Sequence, residues 1–356
     1  MRALTVVPGV AGSARLDERP EPTAGAGELL VAGVAVGVCG TDREIVDGLY
    51  GWAPPGRDRL VLGHESLGRV LEAPGPGQGP GPGPALAPGD LVVGIVRRPD
   101  PEPCPACAVA EWDMCRNGRY TEHGIKELDG FAAERYVLPV GAAVPVPEAL
   151  GPLAVLVEPA SVVAKAWEHV DLIGARAAWF PHRVLVTGAG PIGLLAALLA
   201  VQRGHDVHVL DLVTEGPKPA LVRRLGATYH SGSVEEACGG ADVVIECTGA
   251  GQVVLDVFTC TGPAGIVCLT GVSSGGRSFG VDAGALNRQI VLENDVVFGS
   301  VNANARHYRA AVDALTRADP AWLAGLVTRR VALDGWAEAL ERRDDDVKVV
   351  VELGPA

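Results

Sequence analysis

The sequence predicts an α/β protein of two domains, one rich in β-strands and one built on a doubly wound parallel sheet. Three observations carry this expectation. A chain of 356 residues exceeds the usual size of one domain. Its texture changes at Arg183, from short alternating runs to strands that alternate with helices. A glycine-rich turn then follows the first strand after that change. With 48% hydrophobic and 21% charged residues there is ample material for buried cores, which excludes a disordered chain. The formal net charge of −13 repels phosphate backbones and anionic lipid, so neither nucleic acid nor a membrane is an expected partner. The opening MRALTVVPGV lacks the apolar core of a signal peptide. The longest apolar stretch, Ile192 to Val201, is about half of what a bilayer span needs, so the expected location is the cytoplasm.

The elements follow in order. Before about residue 150, Leu29 to Val38, Leu67 to Glu72, Asp90 to Val96 and Ala132 to Leu138 read as strands, separated by Gly and Pro. The segment APGPGQGPGPGPALAPGD, Ala73 to Asp90, can neither join a ladder nor pack a core, and reads as a surface loop between two strands. From Arg183, RVLVTGAG is a β-branched strand ending in glycines, and PIGLLAALLAVQRG is a helix stopped by Gly204. DVHVLDL is the next strand and PALVRRLG the next helix. ADVVIECTG, GIVCLTG and DVVFGS supply further strands, whose continuous apolar runs suit parallel strands covered on both faces. Beyond Asn302 come a helix (His307 to Arg317), a strand (Leu326 to Ala332), a short helix at Trp336 and a last strand, Lys348 to Leu353.

Eight cysteines are too few for a disulfide scaffold, and a cytoplasmic chain keeps its thiols reduced. The cluster Cys104, Cys107 and Cys115 therefore reads as a metal site rather than a bridge. Cys238, Cys247, Cys260 and Cys268 show no ligand spacing, and Cys247 and Cys268 end apolar runs where a thiol packs as a small hydrophobe.

Gly188-Ala189-Gly190-Pro191-Ile192-Gly193 closes a strand and opens a helix. The first glycine permits the tight turn, the second lets a pyrophosphate approach the backbone, and the third lets helix and strand pack closely; the helix N-terminus favours anionic charge. Asp211 ends the next strand about twenty residues on, where a ribose partner is expected. This is the Rossmann dinucleotide signature. A second signal is Cys39 in VCGTD with His64-Glu65 in GHE. Thiolate, imidazole and carboxylate are the usual zinc donors, and a catalytic site needs three of them with one position open. The two motifs lie far apart in sequence. The residues alone leave open a shared metal, or a strand-end cysteine and a turn histidine.

VCGTD, GHE and GAGPIG together resemble the medium-chain, zinc-dependent alcohol dehydrogenase family, over the whole chain. RYTEHGIKELDGFAAERY, LVEPASVVAKAWEHV, TEGPKPALVRRLGATYH and SVNANARHY resemble its microbial glucose 1-dehydrogenase branch. That resemblance implies a GroES-like catalytic domain from residues 1–180 and 304–356, flanking a Rossmann domain from 181–303. It implies a catalytic zinc held by Cys39, His64 and Glu158, with Glu65 as an alternative ligand that exchanges during turnover. Thr41 would contact the substrate hydroxyl and begin a proton relay, and Glu122, Glu158 and Asn302 would contact sugar hydroxyls. Thr248-Gly249, Thr270-Gly271-Val272, Val301-Asn302 and Lys348 would meet the cofactor, beside Gly188, Gly190, Pro191, Ile192, Gly193 and Asp211. The implied reaction moves a hydride from an aldose hydroxyl to NAD(P) and gives a lactone. Lewis-acid polarisation would make that hydroxyl a better proton donor near neutral pH. The zinc site and the Gly-rich turn would then face each other across an interdomain cleft. Members of the family assemble as dimers or tetramers, so a homodimer or homotetramer is expected.

Three departures shape the expectation. The family's structural-zinc lobe has the pattern C-x2-C-x2-C-x7-C, of which Cys104, Cys107 and Cys115 are the last three positions, with Pro101 at the first. Asp100 or Glu102 would complete a three-cysteine site there, and a lobe without metal is the alternative. Val96 stands where the glucose branch carries a sugar-contacting asparagine, which keeps a polyol, an aminocyclitol or a secondary alcohol open as substrate. Asp211 is followed by Leu212 and Val213 rather than arginine, so NAD is expected ahead of NADP, although Lys218, Arg223 and Arg224 lie near in sequence. A redox sensor without turnover is the competing class, and Cys39, Thr41, His64 and Glu158 argue against it.

Overall fold

The computed structural model describes residues 1–75, 85–273 and 278–354, so half of the Gly/Pro segment of 73–90 lies outside the described residues. The chain divides into two compact units, Met1–Ser161 with Asn302–Ala356, and Val162–Val301. The division lies inside the helix Val157–Gly174, ahead of the texture change at Arg183.

The first unit centres on the long strand Glu28–Val38. On one side it pairs antiparallel with Glu65–Glu72, which leads on to Leu91–Gly94 and Ala143–Pro145. On the other it pairs antiparallel with Lys348–Glu352, which runs parallel to Val327–Ala332. Arg135–Pro139 also pairs with Glu28–Val38. The carboxy-terminal strand thus belongs to this sheet, and its valines Val349 and Val351 pack with Val36, Val38, Ile45 and Leu60 in one apolar cluster. Two small sheets complete the unit: Arg15–Glu18, Arg2–Val6 and Leu60–Val61; and Arg97–Arg98, Thr121–His123 and Glu127–Leu128.

The second unit is a six-stranded parallel sheet in the order Thr228–His230, Asp206–Leu210, Arg183–Thr187, Ala241–Glu246, Thr261–Leu269, Val296–Gly299. Counted along the chain this is strand order 3-2-1-4-5-6, the doubly wound Rossmann arrangement. The order reverses between Arg183–Thr187 and Ala241–Glu246, and ligands of such sheets bind beyond the carboxyl ends of those strands. The helix Pro191–Gln202 is buried continuously from Gly193 to Ala200, as expected of a helix hydrophobic all round. The helical stretch Glu148–Gly174 is long and apolar enough to cross a bilayer, but 72% of that window is buried inside the protein, which makes it a core helix.

One cysteine pair departs from the expectation of reduced thiols. Cys238 ends the helix Val234–Cys238 and Cys260 precedes the strand Thr261–Leu269, and the two form a disulfide with a Cα–Cα distance of 5.9 Å. No ligand spacing marks the pair, because the packing of helix against sheet brings them together. Cys268 is fully buried, and burial pushes its thiol up, as suits a packing residue.

Candidate active site

The first unit builds its buried polar centre from three segments. Cys39 leaves the strand Glu28–Val38 and caps the helix Gly40–Val46, its Sγ accepting the Thr41 N–H at 3.3 Å. Asp42 closes the capping box: its Oδ2 accepts the Cys39 N–H at 2.9 Å, while its Oδ1 lies 3.4 Å from His64 Nδ1. Gly63, at φ +86°, makes the turn that delivers His64, and a side chain there would strike Val36 and Ala132. Glu65 follows in the strand Glu65–Glu72, opposite Gly37. A Cβ at Gly37 would lie 2.0 Å from Glu65 Oε2, so the glycine vacates the volume that the carboxylate fills.

Cys39 Sγ, a His64 ring nitrogen and a Glu65 carboxylate oxygen consequently fall within 4.8 Å of one another. Ligands 2.0–2.3 Å from one tetrahedral ion stand about 3.3–3.8 Å apart, so the donor set and its spacing fit zinc. The electrostatics agree. Burial lowers the His64 pKa, yet the charges of Asp42 and Cys39 outweigh it and raise it well above the ordinary value. Burial alone would raise the Asp42 carboxyl, but His64 and the Cys39 N–H bring it below its usual range. A buried pocket with this much negative charge is one that a cation stabilises.

Lys348, 1% exposed, supplies one cation: its Nζ donates to Glu65 Oε1 at 2.5 Å and to the Val38 carbonyl at 3.1 Å. The strand Lys348–Glu352 therefore presents this residue to the polar centre of the first unit, against Glu65. Glu158 is buried outside the group of three donors. Burial pushes its carboxyl up to about 7, opposed by His64 and Lys348 and reinforced by Glu65.

Glu122 and Asn302 meet nearby in chain fold though far apart in sequence. Asn302 Nδ2 donates to Glu122 Oε1 at 2.7 Å, and the same oxygen accepts Arg97 Nε and forms the ion pair with Arg97 Nη2, both at 3.0 Å. Asn302 holds φ at +61°, a conformation that asparagine tolerates better than most residues and that concentrates at functional sites. Arg97 was not marked by any motif, although a charged residue directly after an apolar strand was visible. Val96 is core: it is 2% exposed and packs with Val36, Leu62 and Ile125.

The lobe holds Cys104, Cys107 and Cys115 with their sulfurs within 4.8 Å of one another. Cys104 Sγ accepts N–H groups of Arg116 (3.4 Å) and Cys107 (3.5 Å), which bring its thiol down to about 6. Neither proposed fourth ligand joins them. Asp100 Oδ1 accepts the Glu102 N–H and its Oδ2 accepts Asn117 Nδ2, while Glu102 pairs with Arg119 at the surface.

In the second unit the glycines do what their turn requires. Gly188 sits at φ +88°, and a Cβ on Gly193 would lie 1.7 Å from the Gly188 carbonyl oxygen. Gly190 caps the helix with open space where a side chain would be, and Pro191 occupies the first helical turn. Asp211 grips this turn: its Oδ2 accepts the Ala189 N–H at 2.7 Å, its Oδ1 accepts the Val213 N–H at 3.1 Å, and Lys218 Nζ lies 3.5 Å from Oδ2. The carboxylate expected to repel a 2′-phosphate thus has a cation beside it.

Glu246, unmarked by sequence reasoning, organises the opposite side of the switch point. It is fully buried at the end of its strand, and its carboxylate accepts the Thr187 hydroxyl, the Thr248 hydroxyl and N–H, and the Gly249 N–H. Its carbonyl accepts the N–H groups of Thr270 and Gly271, and the Thr270 hydroxyl. One residue thereby ties Thr248-Gly249 to Thr270-Gly271. The signal was a carboxylate directly after the apolar residues Val243, Val244 and Ile245 in ADVVIECTG. Val272 and Val301 are exposed at 80% and 58%.

Comparison with known proteins accounts for both parts of the chain. Residues 25–148 match the alcohol dehydrogenase GroES-like domain, and residues 151–353 match the glucose dehydrogenase C-terminus. A glucose 1-dehydrogenase of Methanocella arvoryzae is 39% identical over 99% of this chain and 100% of its own, and one of Thermoproteus tenax is 41% identical over 99% of each. A solved structure of Haloferax mediterranei glucose dehydrogenase, in complex with NADP, zinc and gluconolactone, is 32% identical with a TM-score of 0.91 over the whole of both chains. With its GroES-like and Rossmann parts both matched and its donor residues gathered, the chain belongs to the glucose dehydrogenase family of zinc-dependent alcohol dehydrogenases.

Proposed function

We propose that this protein oxidises the anomeric hydroxyl of a glucose-like aldose with NAD(P), releasing a lactone. The observation that carries the reading is the grouping of half-buried Cys39 with buried His64 and Glu65 in a chain of this family. When bound, zinc supplies Lewis-acid polarisation of the substrate hydroxyl, and NAD(P) accepts the hydride. Cys39 and His64 are the fixed ligands. Lys348 already neutralises Glu65, whereas Glu158 is buried with its carboxyl raised, so Glu158 serves as the third ligand and Glu65 as its alternate. Asp42 fixes the Cys39 backbone and faces the His64 ring, which orients both ligands. Thr41, in the first turn beside Cys39, accepts a hydrogen bond from the substrate hydroxyl and begins the relay that carries its proton away. Glu122, held through one oxygen by Arg97 and Asn302, offers its other oxygen to a sugar hydroxyl. Gly188, Gly190 and Gly193 cradle the pyrophosphate and Asp211 meets the ribose, with NAD favoured and NADP accepted beside Lys218. Cys104, Cys107 and Cys115 hold a second, structural zinc. A cytoplasmic homodimer or homotetramer completes the proposal.

The test combines zinc analysis with a panel of aldoses, polyols, aminocyclitols and secondary alcohols, read by the absorbance of the reduced nicotinamide. Glucose or a close aldose should head the panel, and Cys39→Ala should lose one zinc per chain and all turnover while still binding NAD(P)H. Turnover by a zinc-free Cys39→Ala preparation would overturn the metal assignment. A panel headed by acyclic polyols would overturn the substrate.

A further inference from the structure

Aromatic residues are scarce in this chain, with 6 Trp, 5 Tyr and 5 Phe in 356 residues. Three of them gather beside Glu122. Tyr50 and Trp52 pack edge-to-face with ring centroids 5.1 Å apart, and they are 43% and 46% exposed. Tyr120 lies under the Arg97 guanidinium (3.7 Å) and the Lys126 ammonium (4.3 Å). Tyr50 and Trp52, packed on each other and both exposed, form a small contiguous apolar surface of the kind that binding sites use.

The backbone fixes this pair to the sugar-facing carboxylate. The Trp52 N–H donates to the Ile125 carbonyl at 2.9 Å, and the Glu127 N–H donates to the Trp52 carbonyl at 3.0 Å. Between those two residues, Lys126 exchanges both backbone hydrogen bonds with Glu122, at 2.8 and 2.9 Å. Trp52 and Glu122 thus share one hydrogen-bonded turn. Gly51, at φ +94°, lies against the fully buried Ile45, with a Cβ there coming 3.1 Å from that side chain. The close approach presses the turn onto the core and keeps the rings on either side of Gly51 outward. The Tyr50 phenol is pushed up by burial, and the Glu122 charge adds to the shift.

We propose that Tyr50 and Trp52 form a stacking face for the apolar C–H side of a pyranose ring, adjoining the polar site of Glu122, Arg97 and Asn302, and so select cyclic sugars over acyclic polyols. A pyranose carries hydroxyls around its rim and C–H groups on its face. Recognition therefore needs polar partners at an edge and a flat apolar surface beside them, and aromatic rings supply that surface with little side-chain entropy to lose. The proposal rests on the sugar-oxidising reading above and adds the feature that would make it specific.

The experiment uses the zinc-loaded full-length enzyme with Trp52→Ala, Trp52→Phe and Tyr50→Ala. Kinetics with glucose and with sorbitol are measured at saturating NAD(P). Trp52→Ala should raise the glucose KM about tenfold, the magnitude of a lost aromatic contact. The ratio of kcat/KM for glucose over sorbitol should fall by a similar factor, and Trp52→Phe should restore most of it. Gluconolactone titration of the intrinsic fluorescence should give a Trp52-dependent signal, absent in Trp52→Phe. An unchanged glucose KM and an unchanged ratio in Trp52→Ala, in a wild type that oxidises glucose, would overturn the stacking face and leave the sugar-oxidising reading standing. If the wild type oxidises no aldose, the reading itself fails, and the face is still decided: lactone binding equal in wild type and Trp52→Ala refutes it. A change in oligomeric state with no change in sugar binding would assign the pair to a contact between copies and refute it too.

Discussion

Lys348 offers the sharpest test of how the polar centre is held together. Its ammonium is 1% exposed and has two partners, the Glu65 carboxylate and the Val38 carbonyl. Lys348→Met keeps the aliphatic bulk and removes the charge, leaving a carboxylate of 3% side-chain exposure and a carbonyl without their donor. Breaking a buried ion pair from one side costs about 3–5 kcal/mol, because the remaining charge stays desolvated. With a urea dependence of about 3 kcal/mol per molar, the unfolding midpoint should fall by roughly 1 M or somewhat more. The measurement is made on chelator-treated protein, so that a zinc ion cannot compensate Glu65. Glu65→Gln in the Lys348→Met background removes the stranded charge and should recover about half of the loss, a coupling that a double-mutant cycle reads directly. A single-variant cost below about 1 kcal/mol, the range of an exposed pair, would refute the reasoning. So would additivity of the two substitutions.

Three further outcomes are expected. Gly193→Ala places a Cβ 1.7 Å from the Gly188 carbonyl, so helix and turn must separate; NAD(P)H affinity by fluorescence titration should fall at least tenfold, and an unaltered Kd would contradict the packing role. Asp211→Ala removes the acceptor of the Ala189 and Val213 N–H groups and leaves Lys218 without its anion. The NADP-to-NAD ratio of kcat/KM should then rise about ten- to a hundredfold, and a constant ratio would show that another residue discriminates. Cys107→Ala should lose a second zinc equivalent and lower the thermal midpoint; a zinc content equal to wild type would assign no metal to the lobe.

Local patterns reveal what depends on neighbours in sequence. The alternation of Leu29 to Val38, the apolar runs after Arg183 and the helix His307 to Arg317 reappear as the strand Glu28–Val38, the parallel sheet and the helix Ala305–Arg317. The turn from Gly188 to Gly193 was legible because each glycine answers a steric demand within six residues of chain. Cys39 and His64 were visible as donors from their residue types, and only the family resemblance made them partners. Their union depends on the pairing of Gly37 with Glu65, on the turn at Gly63, and on Asp42 reaching both.

Other features arise only where distant segments pack. Lys348 meets Glu65 across a separation of 283 residues because the last strand joins the sheet of the first unit. The sequence placed Lys348 among cofactor contacts by resemblance, and nothing local ties it to a carboxylate in GHE. Cys238 and Cys260 pair because a helix end docks beside a strand start. Glu246 and Trp52 were ordinary letters until their surroundings were known, one enclosed by donors from two loops and the other left exposed beside a carboxylate. Short-range sterics and hydrophobic period determine which residues form helices, strands and turns, and the sequence carries both. Desolvation, pairing of charge and exposure of rings depend on which segments become neighbours, and only the tertiary structure decides that.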